Sequence, residues 1–198
     1  MLQVSRRALL TRAGVGTGAG FIGLLGGAAT PAPAAPGEAD LANARLICAG
    51  KRLMISWYTR WLDTPKARGG SPTTRGLVRD IRSAEQAHFG LLAPLLGTTA
   101  PSDDDFAYTF PPGALRSPAA AAKFGLDLES LMIGIAIGAA ATTADAGVAQ
   151  SIASIVGGDG QHLSALSVLS GASAVPAELP RAIGVQDASV QLAQFLSN

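Results

Sequence analysis

Two stretches decide how this chain is read: Ser83-Ala84-Glu85-Gln86-Ala87-His88 and, far downstream, Ile152-Ala153-Ser154-Ile155-Val156-Gly157-Gly158-Asp159-Gly160-Gln161-His162. Each sets an acid three residues before a histidine. The chain has two histidines, and both lie in these turns. Positions i and i+3 share a helix face, and the residues around each pair step in threes and fours. The upstream stripe is Leu77, Ile81, Ala84, His88, Leu91 and Leu95, with Glu85 and Leu92 adjoining. The downstream stripe is Ile152, Ile155, Asp159, His162, Leu166 and Leu169. Such spacing predicts helices packed on one side, over residues 74–96 and 146–169, with both acid–histidine pairs pointing inward.

Two further helices complete the pattern. Residues 40–62 carry the stripe Ile47, Gly50, Met54, Trp57 and Trp61, with Tyr58 alongside and Asp40 as N-cap. Residues 118–144 are apolar on nearly every side from Leu128 onward, which predicts deep burial. A shorter amphipathic piece covers 187–196. The joins are short, long and short: residues 63–73, then 97–116 with Pro101, Pro111 and Pro112, then 142–146. A long structureless join inside a compact domain needs a reason. A crossover along a four-helix bundle supplies one. The fold expected is therefore all-α, a four-helix bundle with one long crossover between its second and third helices and a short C-terminal helix.

The first residues read as an address. Ser5-Arg6-Arg7-Ala8-Leu9-Leu10 precedes an apolar Gly/Ala run at 13–29 and then Pro31-Ala32-Pro33-Ala34-Ala35-Pro36. Basic, apolar, small-residue is the order of a secretory signal, and the paired arginines resemble a twin-arginine (Tat) signal. A transmembrane anchor is the alternative, although the run is short and glycine-rich for spanning about 30 Å of hydrocarbon. The expected organisation is a signal over 1–35 and a bundle over 36–198. The protein would then meet the twin-arginine translocation machinery and reside in the periplasm, the cell envelope or outside the cell, or stay anchored if the signal is kept. Removing 1–35 takes Arg6, Arg7 and Arg12 and no acid, leaving 12 basic against 14 acidic residues.

Composition narrows the chemistry. With 198 residues, one domain is the natural count, and 15 basic against 14 acidic residues argue against nucleic acid as a partner. A single cysteine, Cys48, excludes an internal disulfide and any CxxC site; on an apolar helix it is expected to be an inert core thiol. No P-loop and no GxSxG is present, and no catalytic residue is assigned. Asp103-Asp104-Asp105 is expected to be a solvated acidic run. Arg45, Lys51, Arg52 and Arg60 are expected to form the wet face of the first helix. If Lys51 instead leans inward, it could pair with Glu85 and replace a metal ion's charge.

Buried carboxylates cost several kcal/mol unless paired or metal-bound. Two acid-x-x-His pairs on neighbouring helices are one way to build a metal site in a bundle core. Oxygen and imidazole donors together suit iron, manganese or zinc. The same pairs could equally be internal hydrogen-bonded contacts with no metal.

These residues resemble the ferritin-like domain of bacterial exported proteins, in the ferritin/rubrerythrin superfamily. Residues 152–162 are similar to the fourth-helix pattern of that family, Ala-Ser-Ile followed by Glu-x-x-His, with Asp159 in place of the glutamate. Ser83 to His88 resembles its second helix, and Glu129, nine residues before Gly138-Ala139, its third-helix glutamate. The resemblance spans roughly 40–170. It implies a site of four carboxylates and two histidines around two metals, of which Glu85, His88, Glu129, Asp159 and His162 match five. The sixth should come from the first helix, which has no acid between Asp40 and Asp63. Met54 stands where the missing glutamate would align. The resemblance thus implies a degenerate five-ligand site for iron or manganese, with zinc less favoured. The alternative is an apo bundle acting as a structural or interaction module of the envelope.

Overall fold

A computed structural model of the protein describes residues 35–68, 71–175 and 178–196. All but the last residue of the expected signal, 1–34, lies outside these residues. The elements are α1 (Glu38–Asp63), a single-turn α2 (Pro65–Arg68), α3 (Pro72–Leu96), α4 (Pro118–Thr142), α5 (Ala146–Ser170) and α6 (Val185–Ala193). Two 3₁₀ turns, Gly97–Thr99 and Asp103–Asp105, interrupt the long join between α3 and α4. The all-α bundle with one crossover is the fold observed. α1 pairs most extensively with α3, and α4 with α5, so two hairpins face each other; α1 meets α4 and α3 meets α5.

Local chemistry sets the helix ends. Ser71 and Ser117 accept from the backbone N–H groups of Thr74 (3.1 Å) and Ala120 (3.2 Å), each followed by a proline at the first helical position. Asp145 caps α5 through the Val148 N–H at 2.8 Å. Such caps contribute about 1 kcal/mol each. Gly171 closes α5 at φ 88°, a left-handed conformation that glycine adopts without Cβ strain.

α1 departs from expectation at its start. It begins at Glu38 after Gly37, so Asp40 lies within the first turn. Its buried carboxylate accepts from Gly37 N (3.3 Å), Ala144 N (2.8 Å) and Asp145 N (3.2 Å). Asn43, one turn on, donates to Ala139 O at 3.2 Å and to the hydroxyls of Thr142 and Thr143. Together they anchor the start of α1 to the α4–α5 turn.

The core follows the stripes with one rotation. Ile47, Gly50, Met54, Trp57, Tyr58 and Trp61 of α1 are buried, as are Ile152, Ile155, Asp159, His162 and Leu166 of α5. α4 has no exposed residue from Leu128 to Ala140. By length and composition it could cross a membrane, yet half of that apolar window is buried inside the bundle. On α3 the inward line is Val78, Ile81, Glu85, Leu92 and Leu96, while Leu91 and Leu95 are exposed. The helix is thus turned so that Glu85 is fully buried and His88 stands at the edge of the core, its side chain 12% exposed.

The crossover is held by side chains of α1. Arg52 pairs with Asp103 (2.6 Å), donates to Pro101 O (3.1 Å) and lies over the Phe89 ring; Arg60 donates to Tyr108 O. Tyr108 forms an isolated antiparallel bridge with Leu196, locking crossover to C-terminus. Phe110 and Phe124 pack edge-on to Trp57, and the indole of Trp61 donates to Ala67 O. The result is an aromatic layer next to the charged centre.

Candidate functional site

Lys51 is fully buried at the middle of α1, where its aliphatic stem crosses apolar packing and its head meets the carboxylates. Its Nζ lies 2.8 Å and 2.6 Å from the two oxygens of Asp159 and 2.8 Å from Glu85 Oε2. The two contacts with Asp159 are hydrogen bonds, and the contact with Glu85 is an ion pair whose Oε2 has no hydrogen-bond partner. The wet-face expectation for Lys51 is therefore corrected, whereas Arg45 and Arg60 are exposed as expected and Arg52 is half-buried. The inward alternative holds and extends further, because Lys51 spans α3 and α5 together.

All five expected ligands gather around this ammonium. Glu85, Glu129 and Asp159 are completely buried. Donor atoms of Glu85, Glu129, Asp159 and His162 lie within 4.8 Å of one another. His88 completes the group, its ring stacked on that of His162 with centroids 5.8 Å apart. The wiring is crosswise. His88 Nδ1 is 3.0 Å from Asp159 on α5 and 3.9 Å from Glu85 on its own helix. His162 Nδ1 is 3.1 Å from Glu85 and 3.3 Å from Glu129, yet 3.9 Å from its own Asp159. Each histidine answers the other helix's acid.

Two residues outside the expected ligand set complete the arrangement. Tyr58, two turns beyond Lys51 on α1, donates its hydroxyl to Glu129 Oε1 at 2.6 Å. Gly158 clears a place for His88: a Cβ there would stand 2.6 Å from His88 Nε2. Met54 is buried on α1, but Lys51, one turn earlier, is the α1 residue that reaches Glu85 and Asp159. Lys51 sits four residues after Ile47 and seven before Tyr58, so the stripe spacing held the signal. Its charge hid it, because lysine is almost never fully buried unless paired.

The electrostatics are those of a closed cluster. Burial alone pulls the Lys51 ammonium down, but Glu85, Asp159 and Glu129 outweigh it and hold it above the ordinary lysine range. Burial pushes Asp159 up; Lys51 and the contact with His88 more than reverse this and hold it at about 2. Burial likewise lowers His162, and Glu129 and Glu85 raise it to about 10, so its imidazolium is the favoured form. Glu129 is raised to about 7, by burial first and by Glu85 next. Its Oε2 has no hydrogen-bond partner. Tyr58 is raised well above the ordinary phenol by burial and by Glu129, so it serves Glu129 as a neutral donor. Cys48 is buried and pushed up to about 12 by burial, as befits an inert thiol.

The donor set divides on the question of a metal. By type and spacing, Glu85, Glu129, Asp159 and His162 could hold an ion. A two-metal centre does not fit, because α1 supplies an ammonium and no carboxylate. A transition ion binds carboxylate oxygen at about 2.0–2.2 Å. With Nζ at 2.6–2.8 Å from Asp159 and Glu85, an ion shared by those oxygens would compete with the ammonium for them and stand close to its like charge.

Residues 40–172 match the family model of the ferritin-like domain, and the chain belongs to that family. No curated protein sequence matches the chain.

Proposed function

We propose that this protein is an exported ferritin-like bundle that works without a metal, as a structural or interaction module of the cell envelope. The observation that supports this is Lys51, whose ammonium takes up Glu85 and Asp159, two carboxylates that a metal would need. His162 and Tyr58 engage Glu129, and His88 engages Asp159. The acids have internal partners, as a buried cluster requires when no ion is supplied. Export is supported by the Arg6-Arg7 pair and the apolar, small-residue run after it.

A metal-loaded protein is the second reading. It is favoured by four donor atoms within 4.8 Å, with iron or manganese ahead of zinc. One experiment separates the two. Protein purified from metal-replete cells is analysed for bound elements and melted with a chelator and with added Mn²⁺ or Zn²⁺. The metal-free reading expects no stoichiometric ion and an unchanged melting temperature. An ion that binds only the folded state must raise that temperature, so a saturable, one-to-one rise would replace this reading with the second. Export is tested by replacing Arg6-Arg7 with Lys-Lys, which should trap the protein in the cytoplasm; export at the full level would remove the twin-arginine assignment.

A further inference from the structure

The charged centre has the shape of a binding site whose occupant is covalently attached. Lys51 Nζ has three carboxylate oxygens within 2.8 Å, from α3 and α5, in a fully buried position. Beside it stand Glu129 Oε2, an acceptor with no hydrogen-bond donor, and His162, within 3.3 Å of both Glu85 and Glu129. Such an arrangement of acids and imidazoles is costly unless a cation stands among them. A divalent ion at this place would meet the same oxygens and, in addition, the ammonium's charge.

We propose that Lys51 is an intramolecular plug: its ammonium is the resident cation of a latent divalent-metal site formed by Glu85, Glu129, Asp159 and His162. This inference rests on the metal-free reading and adds the cause of it, namely one side chain rather than a wholesale loss of ligands. The cluster kept its oxygen and imidazole donors and received a fixed positive charge from α1. Removing that charge leaves Glu85 and Asp159 uncompensated and opens the space between them. Replacing it by a carboxylate supplies a donor from α1 as well.

The test uses the full chain carrying Lys51→Glu or Lys51→Met, with Zn²⁺ and Mn²⁺ as probes. Binding is followed by calorimetry and elemental analysis, and folding by circular dichroism and melting. Wild-type protein should take up no stoichiometric ion. Lys51→Glu should bind one ion or more per chain, about 100-fold or more tightly than wild type, since the like charge is gone and a ligand is gained. Lys51→Met should bind more weakly than Lys51→Glu and should melt higher with metal than without. Adding Glu85→Gln to Lys51→Glu should cost about 10-fold or more in affinity.

The outcomes are separable. Wild-type protein that binds an ion stoichiometrically with Lys51 in place overturns both the plug and the metal-free reading. Wild-type protein that binds none, with folded variants that also bind none, overturns the plug alone. If either variant is unfolded without metal, the plug requires Zn²⁺ or Mn²⁺ to restore its helicity, because a latent site couples binding to folding. Failure of metal to restore both variants overturns the plug as well.

Discussion

Two neighbouring layers of one bundle meet the problem of burial in opposite ways. Around Trp57 the interior is aromatic: Trp61, Phe110 and Phe124 lie tilted or edge-on to it with centroids 4.6–6.3 Å away. Around Lys51 the interior is ionic, with three carboxylates and two imidazoles. The first layer is stabilised by area removed from water and is indifferent to which apolar group fills a given volume. The second is stable only as a set, because removing one member strands the charge of the next. α1 contributes to both, with Lys51 and Trp57 less than two turns apart.

The contrast can be broken most directly by one near-isosteric replacement in the ionic layer and one in the apolar core. In a chelator-treated sample, Lys51→Met should cost about 3–5 kcal/mol, the penalty for breaking a buried ion pair. Leu128→Met, a volume-conserving exchange in the apolar core, should cost less than about 1.5 kcal/mol. Denaturant titration of both would show it, and equal losses would mean that the ionic layer is no more interdependent than the apolar one.

A smaller effect sharpens the steric side of the same layer. Gly158→Ala would put a methyl 2.6 Å from His88 Nε2. Small-to-large changes at close-packed sites cost about 1–3 kcal/mol. Gly158→Ala should cost less in a His88→Ala background than in wild type in a melting experiment. An equal cost in both backgrounds would show that the strain lies elsewhere than in the imidazole.

The smallest and broadest effect is that of pH. Asp159 is depressed from 3.8 to about 2, so its contribution is present above 3.8 and disappears as pH falls through 2. His162 is raised from 6.5 to about 10, so its contribution is complete below 6.5 and is lost as pH rises through 10. Glu129, raised from 4.5 to about 7, also favours its protonated form and weakens the fold as pH rises through 7. Because Glu129 and His162 lie 3.3 Å apart, the alkaline limb belongs to the pair rather than to either residue. On these three shifts the melting temperature should peak between pH 3.8, above which the Asp159 contribution is complete, and pH 4.5, above which that of Glu129 begins to fall. Asp159→Asn should flatten the acid limb, and an acid limb of unchanged slope in that variant would assign it to another carboxylate.

Much of this is legible in the residues alone. Periodicity located four long helices because apolar spacing on a helix reports directly which face is covered, and the long join at 97–116 reported the crossover. The gathering of Glu85, His88, Glu129, Asp159 and His162 was legible because buried acids and imidazoles stand out on apolar stripes. Three features were not. The face of α3 is displaced by part of a turn from its apolar stripe, since Leu91 and Leu95 look like core by type, while Leu92 and Leu96 take that place. The partner of each histidine was hidden because spacing along one helix says nothing about which acid across the interface lies nearer. Lys51 was assigned to solvent by its charge, although its register placed it on the inner face. In each case the deciding quantity is a contact between helices, which a single strand of letters does not carry.

The exchange of partners between His88 and His162 has a consequence for how the molecule is assembled. The α4–α5 hairpin carries two buried acids, Glu129 and Asp159, against one imidazole, and draws Lys51 and His88 from the α1–α3 hairpin to cover Asp159. Cut within the long join, the halves would be obligate complements: each poorly soluble by itself, and competent to form a native interior only when both are present.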